Sequence, residues 1–325
     1  MTKPFRIGLL GASRIARSAV IAPARETADF VVTAVAARDP ARARAYADEH
    51  RIAAVAEDYG ALIARDDVDV VYNALPPAGH ALWTIAALEA GKALLCEKPF
   101  ACDAAEARAM TETAARCGLP LLEAFHYRFH VVVRRAETVV RAGRLGALQT
   151  AAAEFHVPIP KAPGELRWLA DQGGGAMMDL GCYPLHALRI LTGAEPAIAS
   201  AAGVFEDGVD TVMRAELVFP IGVSAAIACS MTAEAPSAWL RLQGERGQLE
   251  IVNFVAPQRG CRFTVTVDGE TAAEPTEGPT TYAAQLRHLR DVLTGEAPPL
   301  TGGSDAVANM TAIDAIYAAT RPRDA

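Results

Sequence analysis

Polar and apolar residues follow one another along this chain in two rhythms, and the change between them falls near residue 124. Before it, short strand-like runs stand at Phe5 to Leu10, Phe30 to Ala37, Asp69 to Ala74, Ala93 to Cys96 and Leu119 to Glu123. Stretches of helical periodicity separate them. These are a helix opening after Gly11 and fading before Pro23, one capped by Asp39 with Pro40 as its first residue, Tyr59 to Arg65, Gly79 to Ala90 closed by Gly91, and one starting at Asp103. Apolar runs alternating with helices predict a doubly wound, mostly parallel sheet with right-handed crossovers.

After residue 124 turn signals separate strand after strand: Leu148 to Val157, Ala197 to Glu206, Thr211 to Phe219, Val223 to Met231, Trp239 to Gln243, Gln248 to Asn253 and Cys261 to Val267. Few helices intervene, so this sheet is expected to be largely antiparallel and broad. Two amphipathic helices, Tyr282 to Leu293 and Ser304 to Ala319, close the chain. The expected class is α/β, with a dinucleotide-binding domain over 1–124 and a substrate-binding and oligomerisation domain over 125–325. The free face of the second sheet is the expected surface for a homodimer or homotetramer.

Composition narrows the partners. The 325 residues carry a net charge of -7, with 51% hydrophobic and 21% charged residues. That balance suits an ordered protein and argues against a nucleic-acid backbone or an anionic membrane surface as partner. No apolar run approaches the roughly 20 residues that span a bilayer. The start, Met1-Thr2-Lys3-Pro4-Phe5-Arg6, has neither a leader-like apolar region nor twin arginines. Six scattered cysteines form no Cys-x-x-Cys pair and no metal spacing, which points to reduced thiols, a cytoplasmic location and no metal site.

Candidate chemistry gathers at strand ends. Gly11-Ala12-Ser13-Arg14-Ile15-Ala16 is a tight strand-to-helix turn that would offer backbone N–H groups to a pyrophosphate, with Ser13 where the G-x-G-x-x-G/A fingerprint has its second glycine. Arg38 ends the second strand, where an arginine accommodates a 2'-phosphate; this favours NADP over NAD, with Asp39 turned onto the ribose as the alternative. Leu75-Pro76-Pro77 form a rigid lip over the cofactor, with His80, a further candidate cofactor contact, just inside the next helix. Leu94-Leu95-Cys96-Glu97-Lys98-Pro99-Phe100 ends a buried strand on Glu97 and a projecting Lys98. The other dense stretch is Gly173 to His186. Three glycines there allow close approach of backbone to a ligand, Asp179, Tyr183 and His186 share a helical face, and Pro184 disturbs the turn carrying Leu180. Arg128, His156, Arg167, Trp168 and His186, with His126 and His130, are candidates for lining a substrate pocket.

The Gly11 turn, Cys96-Glu97-Lys98-Pro99-Phe100, Glu123-Ala124-Phe125 with Tyr127-Arg128-Phe129-His130, and Gly174 to Pro184 together resemble the glucose-fructose oxidoreductase, inositol dehydrogenase and rhizopine-catabolism (Gfo/Idh/MocA) family. The resemblance implies a Rossmann domain followed by an α/β domain with a large open sheet. It implies NAD(P)-dependent hydride transfer on sugars, cyclic polyols or related diols, with the catalytic lysine at Lys98 and the acid and phenol of the second-domain motif at Asp179 and Tyr183. Tyrosine there is similar to the dihydrodiol and aldose dehydrogenase branch.

On this reading Tyr183 is the acid/base, and its phenol, with an ordinary pKa of about 10, must be lowered by roughly two to three units, about 3 to 4 kcal/mol. Lys98 is the cation expected to do this. Asp179 orients Lys98 or binds a substrate hydroxyl, and Glu97 supports the loop or cofactor. An alternative has Lys98 move the proton while Tyr183 positions substrate. Two other functions share the fold: a nucleotide-binding regulatory protein without catalysis, and a glycosidase that retains NAD and oxidises its substrate transiently.

Overall fold

The computed structural model describes residues 3–220 and 222–320. Met1 and Thr2, on which the leader expectation partly rests, lie outside them. The chain divides into two compact units: the residues up to His126 together with Tyr282–Val307, and Tyr127–Thr281 together with the residues from Ala308 onward.

The first unit holds a six-stranded sheet of β1 (Phe5–Leu10), β2 (Phe30–Ala36), β3 (Ala54–Val55), β4 (Val70–Asn73), β5 (Ala93–Cys96) and β6 (Leu121–Glu123). Its order is β3-β2-β1-β4-β5-β6, and every pairing is parallel. Strand order reverses between β1 and β4, which makes a crevice at their carboxyl ends. β3 was not expected; two residues are too few to show a period.

The helix after Gly11 also differs from expectation, running through Pro23 to Arg25. A π-helical turn, Arg17–Ile21, precedes the proline. The wider turn shifts the hydrogen-bond register, and Pro23 then sits where its missing N–H is tolerated. The same device recurs in the second unit, where a π turn, Met177–Gly181, precedes Pro184. It includes Leu180, where the sequence predicted a disturbance.

The second domain is not one continuous stretch from 125. The helix Thr281–Leu293 turns Leu286 and Leu289 into the apolar core that contains Ile7, Val35, Val70 and Leu95, and Tyr282 packs against that core. Burying this stripe returns Tyr282–Val307 to the first unit.

In the second unit the strands are β7 (Leu148–His156), β8 (Ala197–Glu206), β9 (Val209–Val218), β10 (Ser224–Ser230), β11 (Ser237–Gly244), β12 (Gly247–Val252), β13 (Arg262–Val267) and β14 (Glu270–Ala273). They form one eight-stranded sheet, β14-β13-β12-β11-β7-β10-β9-β8, antiparallel except where β7 meets β10. β14 escaped the sequence reading because all four of its residues are exposed and carry no apolar alternation. The helix Cys182–Thr192 packs against β7 and β10 of this sheet and is buried from Cys182 to Arg189.

Candidate functional site

The residues expected to meet the cofactor stand at the carboxyl ends of neighbouring strands in the first unit. Gly11 follows β1 with φ +95°, and a Cβ there would press on Leu75 Cδ2 at 3.3 Å and the Ala74 carbonyl at 3.4 Å. Only glycine makes this turn cheaply, and the bare backbone fits a pyrophosphate. Ser13 is the N-cap of the helix it opens, its hydroxyl accepting from the Ala16 N–H at 3.3 Å. Its side chain is thus turned to the helix end. Arg14 and Ile15 are exposed on the first helical turn.

Two residues missed in the sequence support this turn. From the helix Pro40–His50, Arg42 Nη2 donates to the Ala12 carbonyl at 2.8 Å and Tyr46 Oη donates to the Ser13 carbonyl at 2.9 Å. Their spacing of four on one helical face was the available signal. Arg38 is exposed at the corner after β2. Asp39 caps the helix, accepting from the N–H of Ala41 at 2.9 Å and of Arg42 at 3.4 Å. The carboxylate proposed as the alternative ribose ligand is therefore engaged in holding a helix end.

The Leu75-Pro76-Pro77 loop and the Lys98-Pro99 loop are joined by His80. Its ring is fully buried, with Nε2 2.8 Å from the Leu75 carbonyl and Nδ1 3.0 Å from the Pro99 carbonyl. A neutral imidazole donates one N–H, so it bonds one of these carbonyls at a time. Both nitrogens face backbone, and His80 is accordingly a tie between two loops; the sequence had placed it among the cofactor contacts. Asn73 extends the tie, donating to the His80 carbonyl at 3.3 Å and to Thr84 Oγ1 at 3.2 Å while accepting from the Leu75 N–H at 3.3 Å.

Burial pushes the His80 pKa down from 6.5 to about 4, against the opposing pull of the two carbonyls. The unfolded chain takes up this proton near 6.5 and the folded chain only near 4. The stabilisation is therefore complete above pH 6.5 and is lost as pH falls to about 4. We expect wild-type urea-unfolding free energy to fall by up to about 3 kcal/mol more than that of His80→Gln across this window. Parallel curves for the two proteins would contradict the assignment.

Glu97 is buried and fixed from two sides. Its Oε1 accepts from Tyr72 Oη at 2.5 Å and its Oε2 from the Lys98 N–H at 3.3 Å. Burial first, then the Glu97 charge, hold the Tyr72 phenol well above its ordinary range, so that it remains the donor. Glu97 thereby shapes the loop that presents Lys98.

The second unit carries Asp179 in the π turn and Tyr183 and His186 in the helix that follows. The Tyr183 ring lies between Tyr127 and Phe155, at centroid distances of 5.6 Å and 5.4 Å. His186 Nδ1 is 2.6 Å from Tyr127 Oη. Tyr183 and His186 thus meet the same neighbour, as their spacing of three predicts. Asp179 Oδ2 accepts from Arg167 Nε at 2.8 Å, and Glu165 takes Arg167 Nη1 at 2.9 Å. The Asp179 charge is the first cause holding the Arg167 guanidinium above its ordinary pKa.

At Gly174 the close approach is made to the protein's own backbone. A Cβ on Gly174 would come within 2.6 Å of the Arg167 carbonyl and 2.8 Å of the Leu169 carbonyl. The close approach is to the protein's own 167–169 turn.

Among the proposed substrate residues, several are occupied by their own surroundings. Arg128 is buried in a bidentate pair with Glu137 at 2.6 and 2.8 Å. Trp168 is buried with its N–H on the Ile159 carbonyl and the Lys161 ammonium over its ring. His156 pairs with Glu154, two residues back on the same face of β7, while the adjacent Phe155 packs on Tyr183. Successive strand residues point to opposite faces, so His156 faces away from Tyr183. His126 stacks on Tyr282 in the first unit, and His130 caps the helix Val131–Arg141. Of the group, Arg167 and His186 remain connected to Asp179 and Tyr183. Among the described residues no cluster of His, Cys, Asp and Glu is placed to hold a metal ion, and no helix is long and apolar enough to cross a membrane.

Residues 5–125 match the model of an oxidoreductase family with an NAD-binding Rossmann fold, and residues 133–250 match the GFO/IDH/MocA C-terminal domain. The chain is 35% identical to a D-xylose 1-dehydrogenase (NADP(+)) of Haloferax volcanii over 314 residues, 95% of either protein. Its fold matches the crystal structure of an aldose-aldose oxidoreductase from Caulobacter crescentus complexed with glycerol, with TM-score 0.89, 28% identity and 98% of each chain covered. A 3-ketoreductase from Actinomadura kijaniata, solved with NADP and TDP-benzene, matches with TM-score 0.88 and 29% identity over 97% of this chain and 98% of that one.

Proposed function

The chain belongs to the GFO/IDH/MocA oxidoreductase family, and we propose that it moves a hydride between NADP and a hydroxyl-bearing carbon of a sugar, cyclic polyol or dihydrodiol. The observation that carries this reading is the arrangement of one sheet edge. The Gly11 turn, the Arg38 corner, the Leu75-Pro76 loop and Lys98 follow β1, β2, β4 and β5, on either side of the switch point. When bound there, the nicotinamide supplies the hydride acceptor or donor.

The protein's own residues do the rest. Gly11, Ser13, Arg14 and Ile15 cradle the pyrophosphate, Arg38 grips the 2'-phosphate, and the Leu75-Pro76 lip excludes water. Tyr183 takes the substrate hydroxyl proton in oxidation and returns it in reduction, Lys98 supplies the positive charge that makes this phenol a usable base, and Asp179 with Arg167 binds or orients substrate hydroxyls. The open face of the second sheet serves homo-oligomer formation, and the six free cysteines suit a reducing compartment such as the cytoplasm.

Screening pentoses, hexoses, cyclic polyols and aromatic dihydrodiols with NADP and NAD, followed by absorbance of the reduced nicotinamide, tests the reading. Turnover of at least one class is expected, and silence across the panel would overturn it in favour of a regulatory role. Arg38→Ala should weaken NADP binding by roughly 10-fold or more, the loss of a charge-assisted phosphate contact. NAD binding should change little, and equal loss for both cofactors would refute the 2'-phosphate assignment.

A further inference from the structure

Asp210 lies on β9, far in sequence from the groups assigned above, and only 1% of it is exposed. A carboxylate so buried requires partners, and it has two at close range. Its Oδ2 accepts from the Met177 N–H at 2.7 Å and its Oδ1 accepts from Tyr317 Oη at 2.7 Å. Met177 is the first residue of the π turn that carries Asp179, and Tyr317 belongs to the last helix, Gly303–Thr320, in the part that falls within the second unit. A negative charge at this end of the helix is also favoured by the aligned peptide dipoles.

The approach is tight by construction. Gly175 has φ +121°, and a Cβ on it would lie 2.2 Å from Asp210 Oδ1 and 3.2 Å from Tyr317 Oη. Burial first, then the Asp210 charge, hold the Tyr317 phenol well above its ordinary range, so it stays protonated and donates. The same carboxylate therefore fixes both a backbone N–H at the start of one helix and a side chain of another.

We propose that Asp210 and Tyr317 are positioning residues for Tyr183: through Met177 they fix the first turn of its helix and so the place of its phenol. The assignment rests on Tyr183 being the acid/base. The turn that starts at Met177 leads directly into the buried stretch Cys182 to Arg189, so an anchor on Met177 acts at the start of the helix that carries Tyr183. Misplacing a reacting group by about 1 Å costs on the order of 100-fold in rate, and a partial release of this anchor is expected to cost less.

The test is a double-mutant cycle. Tyr317→Phe keeps the ring and removes the donor, and it should lower kcat about 10-fold with the KM for NADP unchanged. Asp210→Asn, which leaves one acceptor for two donors, should do the same. In a Tyr183→Phe background, Tyr317→Phe should change the residual kcat less than 2-fold, while its effect on Tm should be equal in both backgrounds. Tyr317→Phe with wild-type kcat and lowered Tm would overturn the proposal, as would an equal fold-loss in both backgrounds. Near-normal kcat in Tyr183→Phe alone would instead overturn the acid/base reading on which the proposal rests.

Discussion

Tyr183→Phe is expected to lower kcat by at least ~100-fold while leaving NADP affinity within a few-fold of wild type. The substitution removes one oxygen and keeps the ring between Tyr127 and Phe155, so packing and fold are preserved. On the proposed mechanism, what disappears is the group that exchanges a proton with the substrate hydroxyl, an interaction made in the transition state and not in cofactor binding. Lys98→Met should give a loss of the same order, because an unassisted phenol with a pKa of about 10 is almost wholly protonated near neutrality. If Tyr183→Phe turns over near normally and Lys98→Met does not, the proton passes through Lys98 and Tyr183 positions substrate. Steady-state kinetics with cofactor titrated separately distinguishes these outcomes.

The largest effect on stability is expected from Gly175→Ala. Two costs add: a left-handed backbone that an alanine rarely adopts, and a methyl group 2.2 Å from Asp210 Oδ1. The carboxylate cannot simply swing aside, since both its oxygens are engaged, by Met177 and by Tyr317. Relief must break at least one of these buried bonds, each worth about 1.5 to 3 kcal/mol when charged. With the backbone term, a loss of about 3 to 5 kcal/mol follows, and denaturant unfolding of the second unit reads it directly. A loss below about 1 kcal/mol would mean that Asp210 is not held as described.

Much of the fold was legible because periodicity reports burial. Continuous apolar runs marked β1, β2, β4 and β5, and regular turn signals marked β7 to β13; the parallel and antiparallel sheets follow from those patterns. The strands that were missed, β3 and β14, lack the length or the apolar alternation that such a reading needs. The helix after Gly11 runs past Pro23 because a π turn, which leaves no mark in the apolar period, accommodates the proline.

By itself, the sequence determined the order of elements and the chemistry at strand ends, since both are local: a glycine turn after an apolar run, an arginine or lysine at a strand terminus, an acid and a phenol four apart. Tertiary structure alone decided what each polar group is paired with. It assigned Arg128 to Glu137, turned His156 to the opposite face from Phe155, made His80 a tie between two loops, and returned Tyr282–Val307 to the first core. These outcomes depend on how the folded chain turns each side chain, since the cost of burying a polar group is met by whichever partner the fold brings near. Asp210 and Tyr317 show the same limit, for 107 positions separate them in sequence and 2.7 Å in space.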